Sequence, residues 1–442
     1  MTGYYGKIDE QLTEALKSIT GDQFVFYDAE NIFHYSHDET EDLHYNPEVI
    51  VKPRTAEEIS AILKLANSSK IPVTPQGART GLSGGALPIH GGIALSMERF
   101  NKILFIDERN LQVTVEPGVI TQILQDAVKE KGLFYPPDPS SRGSCFIGGN
   151  VAENSGGPKA VKYGVVKDYV LNLEVVLPTG EIIWTGANVL KNATGYNLTQ
   201  LLVGSEGTLG IITKIVLKLI PHPQHDLLML ISFPSAIKAC EAVGAVFMAG
   251  ITPSAMEFLE RDAIDWAVKY IDDVNLTISD DTHAILLVEV DGNNLDMLMH
   301  DCEIISGVME QYECGEILFA ENERQKNELW KMRRKVGEAV KSNSMYKEED
   351  TVVPRAELPK LLAGVKTIGN NYGFKSVCYG HAGDGNLHVN IIKGDLNDEI
   401  WNEKLPIAIK EIFEFVVSLG GTISAEHGIG FVQKKYMPIA FN

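Results

Sequence analysis

A chain of 442 residues that is 44% hydrophobic and 22% charged has an ordinary globular composition, long enough for two or three domains of roughly 100–200 residues each. Its 39 basic against 59 acidic side chains leave a formal charge of −20, which disfavours duplex nucleic acid and anionic lipid as partners, because both repel such a surface. The five cysteines (Cys145, Cys240, Cys302, Cys314, Cys378) form no CxxC pair and no regular spacing, so a disulfide framework, a zinc ribbon and an Fe–S centre are all unexpected.

The N-terminal stretch MTGYYGKIDEQLTEALKSI lacks the apolar core of a signal peptide and reads as an amphipathic helix. No run approaches the ~18–20 apolar residues of a membrane span, so a reducing cytoplasm is the expected compartment. From Pro47 to about Ile220 the texture is rich in β-branched residues and glycine. Short runs at Ile103–Ile106, Val113–Val115, Glu174–Leu177 and Ile211–Leu219 alternate with Gly, Pro and Asn turns. One helix is expected at Ala56–Asn67, capped by Thr55 with Glu58 placed for a capping box, followed by a short strand in IPVTP. Past the proline-bearing boundary at Ile220–Pro223 longer helices are predicted at Ala236–Met248, Arg261–Tyr270, Leu295–Met309, Asn322–Asn343, Glu357–Tyr372 and Leu405–Leu419. They alternate with strands such as His283–Val290 and Gly315–Leu318, a pattern for helices on a mostly antiparallel sheet.

The stretch PQGARTGLSGGA directly follows a predicted strand, and Gly77, Gly81, Gly84 and Gly85 allow successive N–H groups to converge on an anion. Its spacing is neither a dinucleotide-binding fingerprint nor a P-loop, and a flexible surface loop is the alternative reading. Two further stretches, PPDPSSRGSCFIGGNVAENSGG and GSEGTLGIIT, are as dense in Gly, Asn and Ser. Three of them exceed what turns require and suit a long, flat, polar ligand lying against backbone.

These three stretches resemble the flavin-binding segments of the vanillyl-alcohol-oxidase-type FAD enzymes. More narrowly, the chain is similar to the branch containing D-lactate dehydrogenase, the catalytic subunit of glycolate oxidase and D-2-hydroxyglutarate dehydrogenase, from about Pro47 to the last residue. The resemblance implies an α+β protein: a VAO/PCMH-type FAD-binding domain of two α/β subdomains, then an α+β substrate (cap) domain with a mostly antiparallel sheet. The corresponding division is 1–46 as an N-terminal helical segment, 47–221 as the FAD-binding domain and 222–442 as the substrate and metal domain. It also implies FAD along Pro75, Gly77, Ala78, Arg79, Thr80, Gly81, Gly84 and Gly85, with the diphosphate on this loop. Ser141, Ile147, Gly148, Gly149, Asn150, Asn154, Gly156 and Gly157 would line the cofactor, Glu206, Gly210 and Ile211 its other end, and Pro137, Asp138 and Cys145 its ring. Some relatives attach flavin through a His in the first loop and a Cys in the second. The first loop here has no His, so FAD is expected to be non-covalent and Cys145 to be a small packing residue.

In GHAGDGNLHVN, His381 and His388 stand seven apart around a glycine-rich turn, a spacing open to a metal pair or to structural hydrogen bonds. In GGTISAEHGIG, Glu426 and His427 occupy a turn of small residues. Two His and one carboxylate suit Zn²⁺, Mn²⁺ or Fe²⁺ with open positions. The resemblance implies the same set, with His381, His388 and Glu426 as ligands and His427 as base, and with Asn386 beside the substrate. On the helix bearing LWKMRR, the residues alone read as a solvated basic face; the resemblance makes Arg333 the partner of the substrate carboxylate, where a planar fork suits better than an ammonium. Relatives acting on 2-hydroxyglutarate carry a Lys where Glu348 stands here, which favours lactate, glycolate or another short monocarboxylate, although Lys347 is one register away.

The expected activity is oxidation of a D-2-hydroxy acid to the 2-oxo acid by hydride transfer to flavin N5. The alternatives are a glycolate oxidase-type catalytic subunit of a larger complex, a D-2-hydroxyglutarate dehydrogenase, and a non-catalytic electron-transfer subunit. The electron acceptor would be a quinone, electron-transfer flavoprotein or an Fe–S partner subunit, through which the protein could sit at a membrane; a homodimer is compatible with the chain. Relatives usually continue into a proline-bearing tail that packs near the flavin, and this chain stops at Asn442.

Overall fold

In the computed structural model, residues 5–271 and 278–441 are described; residues 1–4 of the expected N-terminal helical stretch, and the final residue, lie outside them. The chain forms two compact units. The first comprises Met1–Gly156, Val165–His222 and Glu426–Lys434, and the second Gly157–Gly164, Pro223–Ala425 and Lys435–Asn442.

In the first unit the N-terminal helix runs over Glu10–Thr20, started by Asp9, whose side chain accepts from the Leu12 amide, and it buries Leu16. The helix Ala56–Ser69 begins as expected, with Thr55 accepting from the Glu58 amide. Glu58 does not complete the capping box. Its carboxylate accepts from the Arg54 amide at 2.6 Å, one residue upstream of the cap. The face bearing Ile59, Ile62, Leu63 and Ala66 packs with Val49, Val51, Ile93 and Leu95 into one core. Those strands belong to a four-stranded sheet in the order Val25–Phe26, Val49–Val51, Ile93–Ser96, Val73–Gln76, in which the last three run parallel. A second, five-stranded sheet is antiparallel throughout: Ile103–Asp107, Gln112–Val115, Ile211–Lys218, Val170–Val176 and Ile182–Trp184. These two sheets supply the two α/β subdomains.

The second unit is built on a seven-stranded, wholly antiparallel sheet. Its order is Ile317–Phe319, His225–Phe233, Ala284–Gly292, Ala255–Glu260, Lys375–Gly380, Asn386–Ile392 and Tyr346–Val352. The strand Ala255–Glu260 is not among those predicted from residue pattern. The predicted helix over Asn322–Asn343 is two helices, Glu323–Arg334 and Val336–Asn343, interrupted at Lys335, whose φ of −92° and ψ of 1° leave the helical basin. The apolar stripe crosses the interruption, because Leu329, Trp330 and Met332 and then Val336, Ala339 and Val340 all join one core with Leu228, Leu230, Ile285 and Leu287. Four carboxylate-centred contacts tie this unit together around the short segment Gly157–Gly164. Lys159 pairs with Glu289, Lys162 with Asp291 at 2.6 Å, Tyr163 donates to Asp291 at 2.8 Å, and Trp330 Nε1 donates to Glu289 at 3.0 Å. Among the described residues, no helix is long and apolar enough to cross a membrane.

Candidate functional site

The three glycine-rich stretches all contribute to the first unit. Of the non-glycine residues in the left-handed backbone region, Arg79 (φ 59°), Asn154 (56°) and Glu206 (52°) fall one in each stretch. Such a conformation is costly for L-residues and collects at functional loops. Asn154 occupies it as the C-cap of the helix Ile147–Glu153. Gly148 lies against Pro117 so closely that a Cβ would come within 2.4 Å of the ring, whereas above Gly81 and Gly149 nothing lies within 4 Å of where a Cβ would be. The cradle therefore has open space over bare backbone, the condition a diphosphate or flavin edge requires. Three buried polar atoms point the same way: Arg79 Nη1, Ser83 Oγ and Tyr135 Oη have no hydrogen-bond partner among the described residues. These features fit FAD.

Other predicted cofactor residues are engaged by protein. Asn150 donates to Thr121 at 2.7 Å, and Cys145 is buried with its sulfur 3.2 Å from the Thr121 hydroxyl, a packing position. Asp138 is buried, with Arg142 at 3.7 Å, and the Pro137 carbonyl accepts from Gln125 at 3.0 Å. Arg79 stacks on Tyr35 at 4.3 Å and donates to His34 Nε2 at 2.8 Å. Glu206 accepts from the Ile429 and Gly430 amides at 2.9 and 2.6 Å, and the Ser83 carbonyl accepts from Phe431 and Val432 at 2.9 and 3.0 Å. Loops far apart in the chain thus fasten the segment Glu426–Lys434. Gly156 leaves room for Glu426, whose Oε2 would lie 2.7 Å from a Cβ there, and Gly428 (φ 81°) does the same for Glu153. Burial, reinforced by the charge of Glu206 and moderated by His427, lifts the Glu153 carboxyl to about 8. Glu153 is therefore mostly protonated at neutral pH, a role its sequence position does not announce.

The second unit holds His381, Asn386, His388 and Arg333, whereas Glu426 and His427 belong to the first. The turn between Lys375–Gly380 and Asn386–Ile392 carries His381, and His388 follows on the second strand; both are buried, with ring centroids 5.7 Å apart and nearly perpendicular. Glycine is required in that turn at Gly385, where φ is 79° and a Cβ would lie 2.1 Å from the Val353 carbonyl. His381 Nδ1 contacts both oxygens of Glu257, at 2.9 and 2.8 Å. His388 Nδ1 lies 3.2 Å from Glu348 and 3.6 Å from Asp350. The Glu257 carboxylate on His381 Nδ1 fixes the tautomer that leaves Nε2 of that ring as the ligating nitrogen, and two histidines so close together fit a divalent cation. Asp350 faces His388 across the strand pair and accepts from Asn386 and from the Ala425 amide, each at 2.8 Å. That bond fixes Ala425 next to the strand that carries His388. The Asn386 amide nitrogen is also held by the Thr351 carbonyl, while its Oδ1 has no hydrogen-bond partner among the described residues.

Arg333 is buried at 3% exposure, so the solvated reading of KMRRK fails for it. Its Nε lies in ion-pair contact with Glu257 at 2.7 Å, its guanidinium lies 5.2 Å from the Tyr379 ring centre, and neither Nε nor Nη2 makes an aligned hydrogen bond among the described residues. Arg334 lies half-buried along Trp330, at 5.1 Å. Lys347 is exposed and turned toward Trp401, on the strand face opposite Glu348. Sequence reasoning missed Glu257, and a signal existed: an acid flanked by Ala255, Met256, Phe258 and Leu259, residues that read as core.

Comparison with known proteins agrees with this division of labour. Residues 47–186 match the family described as FAD binding domain, and residues 222–442 match FAD linked oxidases, C-terminal domain. The chain is 39% identical over 406 residues to the glycolate oxidase subunit GlcD of Bacillus subtilis, covering 91% of this chain and 85% of that protein. It is 36% identical over 438 residues to D-lactate dehydrogenase of Anaerostipes hadrus, covering 98% and 92%. In fold it is similar to p-cresol methylhydroxylase, with a TM-score of 0.79 at 17% identity over 97% of this chain and 91% of that one. The chain belongs to the FAD-linked oxidases, and it is an FAD-binding oxidoreductase of the glycolate oxidase and D-lactate dehydrogenase type.

Proposed function

We propose that this protein oxidises a short D-2-hydroxy monocarboxylate, D-lactate or a close analogue, to the 2-oxo acid with the help of a divalent metal. The observation that carries this reading is Arg333: a buried guanidinium whose Nη2 has no hydrogen-bond partner among the described residues, sharing Glu257 with His381. An unsatisfied buried donor is costly, and a substrate carboxylate is the natural acceptor for it.

Arg333 binds and orients that carboxylate. Glu348, beside His388, disfavours a second carboxylate in the substrate, and Lys347 on the opposite face offers no compensation. His381, His388 and Glu426 would hold the metal, two imidazoles and a carboxylate being a donor set that suits a divalent cation. When bound, a divalent cation lowers the proton affinity of a coordinated hydroxyl by several units from its ordinary value near ~16. His427 takes that proton, a transfer within the ordinary range of imidazole. FAD would supply the two-electron acceptor for the hydride leaving C2 and the route for those electrons to an external acceptor. Residues 47–221 serve as the flavin-holding domain, 222–442 as the substrate domain, and 1–46 as an extension of the former.

A subunit that works within a larger complex is the second reading, favoured by the 39% identity to a protein named as a glycolate oxidase subunit. Anaerobic bleaching of the flavin by D-lactate, glycolate or D-2-hydroxyglutarate, each with and without Zn²⁺ or Mn²⁺, tests both. Metal-dependent bleaching by a monocarboxylate is the expected result. A yellow protein reduced by none of them supports the partner-dependent reading, and bleaching indifferent to chelation removes the metal from the mechanism.

A further inference from the structure

We propose that Glu257 is the positioning residue that couples the two halves of the second unit's chemistry, orienting His381 as a metal ligand while aiming Arg333 at the substrate carboxylate. This rests on the roles given to His381 and Arg333 above. Glu257 lies in the middle of the strand Ala255–Glu260, is fully buried, and stands in register with Leu287 of the neighbouring strand. One oxygen, Oε2, serves both partners, at 2.7 Å from Arg333 Nε and 2.8 Å from His381 Nδ1, while Oε1 makes a second approach to the imidazole at 2.9 Å.

A purely structural role accounts poorly for this arrangement. Buried ion groups are commonly no more stabilising than apolar residues of the same volume. What the carboxylate does supply is direction. As an acceptor it requires hydrogen on His381 Nδ1, which leaves Nε2 to ligate. By holding its charge 2.7 Å from Arg333 Nε, it keeps the guanidinium beside the Tyr379 ring and so limits where Nη2 can point. Glu348 is the useful contrast, because it approaches the other histidine of the pair, His388, at 3.2 Å.

The test uses FAD-loaded protein from which metal has been removed by chelation. Co²⁺ is titrated through its d–d bands, and propionate, a monocarboxylate that cannot be oxidised at C2, is titrated through flavin fluorescence in the absence of metal. Glu257→Gln keeps the side-chain volume, but it removes the charge that holds Arg333 and replaces one of the two oxygens facing His381 Nδ1 with an NH₂ donor. The expected result is Co²⁺ binding weaker by about 10–100-fold with an altered d–d spectrum, together with propionate binding weaker by about tenfold. Glu348→Gln should weaken Co²⁺ without weakening propionate, and Glu257→Asp should recover part of both losses; it also replaces the Gln variant in the assay if that variant does not fold. The coupling is overturned if Glu257→Gln changes only one of the two affinities, or lowers thermal stability with both unchanged. A wild-type protein that binds no Co²⁺ overturns the metal reading as well, whereas wild-type binding matched by Glu257→Gln overturns this inference alone.

Discussion

Replacing Arg333 separates two effects that the structure superimposes on one side chain. In Arg333→Met the fully buried Glu257 loses its guanidinium at 2.7 Å. Breaking a buried pair in this way costs about 3–5 kcal/mol, mostly because one charge is left uncompensated. In Arg333→Lys the charge stays, so stability should fall far less, but an ammonium cannot hold Glu257 through one nitrogen while directing a second at the substrate. The lost charge-assisted hydrogen bond is worth about 1.5–3 kcal/mol, or roughly 10–150-fold in kcat/KM. The carboxylate is held in ground and transition states alike, so most of the loss should fall on KM. Stopped-flow bleaching of the flavin over a range of D-lactate concentrations reads the second effect, and thermal unfolding with flavin bound reads the first. An unchanged KM in Arg333→Lys, or wild-type stability in Arg333→Met, would refute the reasoning.

Three further outcomes are expected. Because the Glu153 carboxyl is raised from 4.5 to about 8 in the folded protein, the unfolded chain releases that proton first, and stability should decline as pH rises between those values; Glu153→Gln should match wild type near pH 5 and melt higher than it above pH 8, and parallel melting profiles would count against the shift. His427→Asn should retain bound flavin, seen in its absorbance, while losing substrate-driven bleaching; wild-type reduction rates would remove His427 as the base. Thr55→Ala deletes the acceptor for the Glu58 amide and should lower stability by about 1 kcal/mol in denaturant titration, with no change in flavin content.

Short-range chemistry accounts for what could be read from the order of residues. Helix starts and stops follow from caps and periodicity: Ala236–Met248 and Arg261–Tyr270 lie where the apolar spacing places them. The glycine-rich stretches were legible because bare backbone and left-handed positions can be supplied by few residue types. His381 and His388 stand out in the sequence by spacing and Arg333 only through resemblance, since its local sequence reads as a solvated face; the structure buries all three. The partners of these groups came from the fold. Glu257 reaches His381 across 124 residues because the register of an antiparallel sheet brings their strands side by side, and it is this carboxylate, not local sequence, that makes Arg333 a buried group. Lys347 and Glu348 likewise differ only by strand alternation, which turns one toward Trp401 and the other toward His388. Glu153 acquires its raised proton affinity from burial and from Glu206, in another loop. Capping and periodicity act over a few residues, whereas burial and pairing depend on which distant segments the fold brings together.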